Sequence, residues 1–210
     1  MNGPDGLAPV LKALKLSGML DTLEARLAEA RAGRLGHAEL LQVLCEDELA
    51  RRDSAKVARL LRAAHLPAGA TLEAFDFSFN PKFPAAQVRD LARLEFVEAG
   101  QGLIIYGPVG VGKSHIAAAL GHQACRRGYE VAFTTCSALL AELAGGHADR
   151  SFAARLRRLS RPAMLIIDLS RARNYPDNGM SMAAQAFHGG PRNSERRSVI
   201  GIITGFRGRR

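Results

Sequence analysis

The residues with the clearest chemical potential lie in one glycine-rich stretch with the spacing G-x-x-x-x-G-K-[ST]. Its members are Gly107, Pro108, Val109, Gly110, Val111, Gly112, Lys113 and Ser114. Glycines let a backbone bend tightly, so that its N–H groups can converge on phosphate oxygens. The Lys113 ammonium suits the β- and γ-phosphates of a nucleotide, and the Ser114 hydroxyl is a natural Mg²⁺ ligand. The stretch therefore predicts a nucleoside triphosphate site.

A strand and a helix are predicted on either side of this loop. The apolar run 102–106 is typical of a buried strand, and residues 113–127 have the composition of a helix packed on a sheet. A helix that begins at Lys113 would add the partial positive charge of its N-terminus at the same point. This order of strand, glycine loop and helix is the context in which the motif binds phosphate.

A second acidic position supports the prediction. Residues 163–167 are apolar and Asp168 follows them, as at the carboxyl end of a buried parallel strand. We interpret Asp168 as the acid that holds the Mg²⁺ shell; the alternative is an aspartate that caps a turn. The next residues, Leu169 and Ser170, cannot act as a base, so the sequence supports nucleotide binding more strongly than hydrolysis.

Alternating strands and helices after residue 85 predict an α/β fold with a parallel sheet covered on both faces. The further elements expected are a helix over 85–99, a strand over 130–134, a helix near 137–143 and a strand over 198–204. The predicted organisation is a helical domain (1–66), an aromatic linker (67–84), a partial P-loop core (85–168) and a basic, irregular segment (169–210).

The first 66 residues are predicted to be helical. Residues 21–24 resemble a capping box that would begin a helix ending near Ala32, and a long apolar pattern extends from His37 to about His65. Such a helical domain is more typical of partner docking or assembly than of catalysis.

Four phenylalanines lie close together between Pro67 and Pro84. They are Phe75, Phe77, Phe79 and Phe83. The simpler interpretation is a linker held to the core by its rings; the sharper one is that Phe75 or Phe77 lines an adenine pocket. For His115 and His122, on the predicted helix after the loop, packing or solvent exposure is expected.

The excess of basic over acidic side chains lies in the second half of the chain. Residues 169–210 carry eight basic and two acidic side chains, and the whole chain has a net charge of +9. A short predicted helix over 150–160 places arginines opposite its apolar side, and these are Arg150, Arg157, Arg158 and Arg161. Such a row suits the phosphates of DNA, and a solvated face is the alternative.

Composition indicates a cytoplasmic protein. No apolar stretch approaches the ~20 residues of a membrane-spanning helix, and the N-terminus lacks a basic region of a signal peptide. The cysteines, Cys45, Cys125 and Cys136, are odd in number and widely spaced, which fits reduced thiols and neither a zinc nor a disulfide pattern.

At this point the chain resembles the IstB-type ATP-binding proteins of insertion sequences, relatives of the DnaC helicase loader within the AAA+ class. The resemblance covers roughly residues 7–168. It rests on residues 71–77, on Asn80-Pro81-Lys82, on 107–121 and on 165–168. It implies a helical domain followed by an AAA+ core, ATP and Mg²⁺ as ligands, and homo-oligomeric assembly on DNA in support of a transposase.

The departures from that family concern the region after Asp168. The family usually has a second acid where this chain has Leu169, and then several dozen residues of sensor and arginine-finger elements. We hypothesise that the reading frame changes near Asp168 and leaves an altered or truncated copy. Translation of the encoding DNA in the other two frames tests this, since an Asp-Asp-like continuation should appear there.

Four functional hypotheses remain at this stage. The leading one is a nucleotide-binding transposition helper whose hydrolysis is impaired, so whether the chain is an enzyme stays open. The second is a DnaC-like loader of the replicative helicase, and the third is a small-molecule phosphotransferase built on the same loop. The fourth is a non-functional or inhibitory copy that co-assembles with an intact subunit.

Overall fold

The computed structural model describes residues 4–78, 84–107, 110–169, 183–187 and 198–204. The chain divides into two compact units, Met1–Ala58 (unit 1) and Arg59–Arg210 (unit 2). The predicted class is confirmed: an all-helical N-terminal part precedes an α/β core whose sheet is mainly parallel and carries the P-loop.

Unit 1 consists of helices. They are α1 (Pro4–Ala13), α2 (Ser17–Arg31) and the first part of α3 (His37–Ala64). None of the helices in the described ranges combines the length and hydropathy needed to cross a bilayer.

The capping box predicted at residues 21–24 is wrong, because α2 already begins at Ser17. Its first turn is held by a tertiary contact: the Gly18 N–H donates to Glu48 Oε2 on α3 at 2.5 Å. Thr22 lies inside the helix, where its hydroxyl donates to the Gly18 carbonyl. A carboxylate from another helix satisfies the free amide here, so the local sequence pattern did not mark the helix start.

Unit 2 alternates helices and strands. Before the loop lie α4 (Ala85–Leu91), α5 (Glu95–Glu98) and β1 (Gly102–Gly107). After it come α6 (Lys113–Arg126), β2 (Val131–Thr135), α7 (Cys136–Ala148), α8 (Phe152–Leu159) and β3 (Met164–Asp168). Two further strands, β4 (Ala183–Phe187) and β5 (Ser198–Thr204), complete the described part.

The helix predicted over 85–99 is broken into α4 and α5. Leu94 has a left-handed backbone (φ 59°), and its side chain is fully buried. The Arg127 guanidinium donates to the carbonyl of Arg93 at the break. Tertiary burial of Leu94 thus overrides the helical periodicity of the segment.

The sheet has the order β2-β3-β5-β1-β4. β1, β2, β3 and β5 are parallel, whereas β4 pairs antiparallel with β1 at the edge. The register pairs Gly107 with Thr204, and Asp168 with both Ile202 and Thr135. The carboxyl ends of four strands therefore meet at one edge of the sheet.

The core lies between α6 and one face of the sheet. Its fully buried side chains include Ile105, Ile116, Leu120 and Ile166. Alternate positions on β1 and β3 are only half-buried. In the described residues, the side chains on one face of these strands are buried and those on the other are half-buried. The expectation that both faces are covered is thus met fully on one face only.

The strand predicted over 198–204 is confirmed, whereas β4 was not predicted. Both follow Asp168, so the sheet continues beyond the predicted core boundary at residue 168.

Candidate functional site

The glycine loop leaves the sheet at its carboxyl edge and enters a helix. Gly107 is the last residue of β1, Gly112 is the N-cap of α6, and Lys113 is the first helical residue. Pro108 and Val109 lie outside the described residues. Gly112 has φ +89°, a backbone conformation that favours glycine, so the motif glycine is needed for the turn into α6.

Lys113 and Asp168 are both buried at this edge of the sheet. Their residues are 3% and 8% exposed. Burial lowers the pKa of Lys113 because it removes water from the ammonium, and the negative charge of Asp168 acts in the opposite direction. Since the net direction is downward, burial outweighs the effect of that carboxylate. A ligand carrying several negative charges would stabilise the ammonium further.

The remaining loop residues offer polar groups at the helix start. Ser114 follows Lys113 in the first turn of α6 and is half-buried, as is Val111, while Gly110 is exposed. A hydroxyl beside an ammonium, with Asp168 at the carboxyl end of β3 on the same edge of the sheet, is a donor set that fits a Mg²⁺–phosphate ligand. Sequence reasoning named all three residues.

The position after Asp168 is occupied by Leu169, which is half-buried. Ser170 lies outside the described residues. Across the sheet Asp168 is paired with Thr135, whose hydroxyl accepts from the Ala138 N–H as the N-cap of α7. Among these described neighbours no carboxylate occupies the place of a second acid.

The Phe75 side chain approaches the loop at Gly112. A Cβ on Gly112 would lie 2.5 Å from Phe75 Cε2, so the ring occupies the space that any other residue would need. The same ring lies 5.3 Å from the His115 ring and 5.0 Å from Phe77 in an edge-on arrangement. The positions of Phe75 and Phe77 agree with a linker held to the core, while Phe79 and Phe83 lie outside the described residues. An adenine pocket stays a prediction.

His115, for which the sequence predicts packing or solvent exposure, is half-buried and contacts the linker. Its Nε2 lies 2.9 Å from the Thr71 carbonyl oxygen, and because a carbonyl only accepts, Nε2 carries the proton. In the sequence, only its position directly after the motif marks His115, and that position does not indicate Thr71 as the partner.

The predicted arginine row is divided by the structure. Arg158 is ion-paired with Glu142, and Arg161 lies 3.7 Å from Glu130. Arg157 donates to the carbonyl of Ala153 on its own helix, and Arg150 is exposed at the turn between α7 and α8. Within the described part of the chain, neither Arg150 nor Arg157 has an acidic partner.

Arg155, which the sequence analysis passed over, joins α7 to α8. Its guanidinium donates to the Glu142 carbonyl, the Ser151 hydroxyl and the Asp149 carboxylate. The nearby Gly146 has no room for a Cβ, which would lie 2.9 Å from the Phe152 Cα. These contacts hold α7 and α8 together. Arg157 and Arg158 therefore lie on a helix that is fixed against its neighbour.

The profile of the family described as IstB-like ATP binding protein matches residues 9–188. This chain belongs to that family. The IstB-like match includes both the loop and Asp168, and it extends into β4.

Curated relatives of the IstB-like chain are named for insertion sequences. It is 56% identical over 162 residues to a protein of Mycobacterium tuberculosis named as an ATP-binding protein in an insertion sequence, covering 77% of this chain and 64% of the relative. It is 35% identical to the ATP-binding protein of insertion sequence IS21 of Pseudomonas aeruginosa, covering 77% and 61%. The chain thus spans a little under two thirds of the length of these two relatives.

Two solved structures are similar to the chain. The DnaC helicase loader matches with a TM-score of 0.47 and 18% identity, covering 67% of this chain and 80% of that one. The replication initiator DnaA, bound to AMPPCP and single-stranded DNA, matches with a TM-score of 0.48 and 18% identity, covering 66% and 43%.

Proposed function

We propose that this IstB-like chain binds ATP with Mg²⁺ at residues 107–114. The observation that carries the proposal is Lys113, a buried lysine at the junction of a glycine loop and a helix N-terminus, with a pKa lowered by burial. Such a cation gains most from a polyanionic ligand, and a glycine loop at a helix N-terminus is the kind of backbone that binds phosphate. The names of its relatives agree with this ligand.

Each of the three polar residues has a distinct role in this proposal. Lys113 would neutralise the terminal phosphates, the Ser114 hydroxyl would be a ligand of Mg²⁺, and the Asp168 carboxylate at the end of β3 would hold the water shell of the metal. When bound, Mg²⁺ would neutralise part of the negative charge of the phosphates.

A thermal-shift assay tests whether ATP–Mg binds at this loop. Addition of ATP–Mg should raise the melting temperature of the wild type, and Lys113→Ala should abolish the rise. Lys56→Ala, an exposed lysine of unit 1, is the matched control and should keep it. A rise that is equal in all three proteins would contradict the proposal, because the ligand would then bind elsewhere.

We further propose that hydrolysis is slow, because Leu169 stands where a second acid would orient the attacking water. Leu169→Glu places a carboxylate at that position, and Leu169→Gln is a control of similar size without the charge. The expected result is a rise in ATP turnover for the glutamate variant alone, on the order of tenfold or more, which is below the roughly hundredfold low end for a fully positioned general base. Rapid turnover by the wild type would refute the proposal.

We also propose that the chain assembles on DNA as a helper of an insertion-sequence transposase. The basic excess and the exposed arginines of the α7–α8 pair support a polyanionic partner. Arg150 and Arg157 should contribute more than Arg158 and Arg161, whose charges are partly neutralised by Glu142 and Glu130.

Salt dependence of DNA binding tests this ranking. Arg150→Ala combined with Arg157→Ala should weaken binding and reduce the slope of log affinity against log salt by about two, roughly one per phosphate contact. Lys12→Ala combined with Lys15→Ala, in unit 1, should leave the slope unchanged. Equal slopes for both double variants would show that Arg150 and Arg157 do not contact DNA phosphates.

The partner and the assembly state belong to the same proposal. We infer a homo-oligomer in the cytoplasm, where the three cysteines, all unpaired in the structure, would stay reduced. Parallel pull-downs with the transposase of the same element and with the resident replicative helicase distinguish a transposition helper from a helicase loader. Capture of the helicase alone would favour the loader.

A further inference from the structure

The segment 66–78, which we call the strap, lies along α6 and contacts it at several points. At the loop end, the Phe75 ring packs on Gly112. Further along, the Thr71 carbonyl accepts from His115, and the Pro67 carbonyl is 3.2 Å from His122 Nε2. At the far end of α6, Glu73 is ion-paired with Arg126 at 2.7 Å.

The strap also fits a second close approach on the same helix. A Cβ on Gly121 would lie 2.8 Å from Leu66 Cδ2 and 2.8 Å from Ile166 Cδ1. Glycine lowers the stability of a helix interior relative to alanine, so its presence here is explained by the space that the strap and the sheet occupy. Gly112 thus makes room for the strap side chain of Phe75, and Gly121 makes room for that of Leu66 and for Ile166 of the sheet.

In the contacts that the structure describes, the backbone amides of the strap donate only to acceptors within the strap, whereas two of its carbonyls meet histidines of α6. The amides of Ala70, Thr71 and Phe75 donate to carbonyls two or three residues earlier, and the Ser78 amide donates to Asp76 Oδ1. These are turn contacts, not ladder contacts of a sheet. The strap is therefore held on α6 by side-chain packing, one ion pair and two carbonyl contacts, without a ladder of backbone hydrogen bonds. Local opening of such a segment takes less free energy than opening the core.

The contact between Phe75 and Gly112 links the strap to the phosphate site. Gly112 immediately precedes Lys113, and its backbone conformation sets the direction in which α6 leaves the loop. With the strap docked, the ring restricts the positions open to Gly112. With the strap undocked, the loop end gains conformations that a bound phosphate would have to remove.

We propose that docking of the strap on α6 and occupation of the loop by nucleotide stabilise each other, so that the strap is a regulatory element of the site. This inference rests on the nucleotide binding proposed above. Coupling between two such equilibria is reciprocal: a docked strap raises nucleotide affinity, and nucleotide holds the strap down. Glu73, Thr71 and Phe75 are positioning residues in this arrangement.

The ion pair at the far end of α6 offers a test that does not touch the loop. Arg126 is the last residue of α6 and Lys113 the first, and the Arg126 and Glu73 side chains are 47% and 65% exposed. Glu73→Arg and Arg126→Glu each place like charges together and should weaken ATP–Mg binding about two- to five-fold, the scale of an exposed pair. The double variant restores opposite charges and should return the affinity to near the wild-type value.

Simple long-range attraction of ATP predicts a different pattern. It would make Glu73→Arg bind more tightly and Arg126→Glu less tightly. The double variant would lie near the wild type in either case because its net charge is unchanged, so the signs of the two single-variant effects are the deciding result. Glu98→Arg reverses an exposed charge outside the strap and should leave the affinity unchanged when docking is what matters. The long-range pattern would overturn the strap proposal.

Hydrogen exchange of the wild-type protein gives the reciprocal readout. ATP–Mg should slow the exchange of amides in residues 66–78, and the slowing should be smaller in Arg126→Glu at equal saturation. If ATP–Mg binds but exchange in the strap and the affinities of the single variants do not change, the strap inference fails while nucleotide binding stands. If the wild type does not bind ATP–Mg, both proposals fail.

Discussion

Residues 1–58 and residues 59–210 form two compact units, and each of them buries a carboxylate among its contacts. In unit 1, Glu48 accepts from the Gly18 amide and from the guanidinium groups of Arg51 and Arg52. These donors lower the pKa of Glu48 to about 2. In unit 2, Asp168 lies beside Lys113, whose pKa is lowered because burial outweighs the attraction of that carboxylate.

The two environments differ in what they leave for a ligand. Glu48 is surrounded by donors from its own unit and joins two helices, so its charge serves the fold. Lys113 stays in a less favourable electrostatic position than in water, at a helix start that attracts anions. A perturbed cation at the edge of a sheet therefore indicates a site, whereas a carboxylate surrounded by its own donors indicates structure.

The units also differ in how they bury apolar side chains. Among the described residues of unit 1, the buried hydrophobic side chains are Leu23 and Leu44, while Leu14, Leu41 and Leu49 are at least 60% exposed. Unit 2 has one extensive cluster built on α6 and the sheet. The stability of unit 1 should therefore depend more on polar contacts than that of unit 2.

The largest expected effect is in the core of unit 2. Ile166→Ala removes a fully buried side chain that packs against α6, and it should lower the free energy of unfolding by about 2–5 kcal/mol. Leu41→Ala, 65% exposed on α3, should cost less than about 0.5 kcal/mol. Denaturant unfolding measures both free energies. Similar losses of stability for the two variants would contradict the difference in apolar burial between the two units.

A smaller effect is expected where the helices of unit 1 touch. A Cβ on Gly18 would lie 2.7 Å from the Glu48 Cα and 2.9 Å from the Asp47 carbonyl oxygen, so Gly18→Ala must separate α2 from α3. The expected destabilisation is about 1–3 kcal/mol. Gly36→Ala, whose Cβ would be 3.7 Å from Glu39, is the control and should be close to neutral. A Gly18→Ala protein with wild-type stability would show that the close approach of α2 to α3 at this glycine does not stabilise the fold.

The effect of pH sharpens the comparison further. A carboxylate with a lowered pKa stabilises the folded state above its ordinary pKa of 4.5, and this contribution is lost as the pH falls towards about 2. Wild-type unit 1 should therefore lose more stability between pH 5 and about 2.5 than Glu48→Gln, which starts lower but lacks this titration. Urea unfolding monitored by amide signals of residues 17–58 checks the difference, and parallel losses in the two proteins would contradict it.

The elements that depend on local pattern were predictable from the sequence. β1, α6 and β3 are short apolar runs or helical repeats beside a motif, and their positions agree with the structure to within one or two residues. The grouping of Lys113, Ser114 and Asp168 followed from the same reasoning, because carboxyl ends of parallel strands share an edge.

What could not be predicted depends on contacts between distant residues. The start of α2 is set by Glu48, which is 30 residues away, and the break at Leu94 is set by burial in the core. Phe75 was recognised as unusual, yet its packing on Gly112 needs the folded path of the linker. The boundaries predicted at 66, 84 and 168 stay predictions.

Isothermal titration of the full chain with ATP–Mg tests the central claim most directly. The wild type should give saturable heat for one site per chain, and Lys113→Ala should give at least a tenfold weaker isotherm under the same conditions, a difference of about 1.4 kcal/mol or more. A folded wild-type protein that gives no heat and no competition at millimolar ATP–Mg, or a Lys113→Ala protein that binds equally well, would contradict the account.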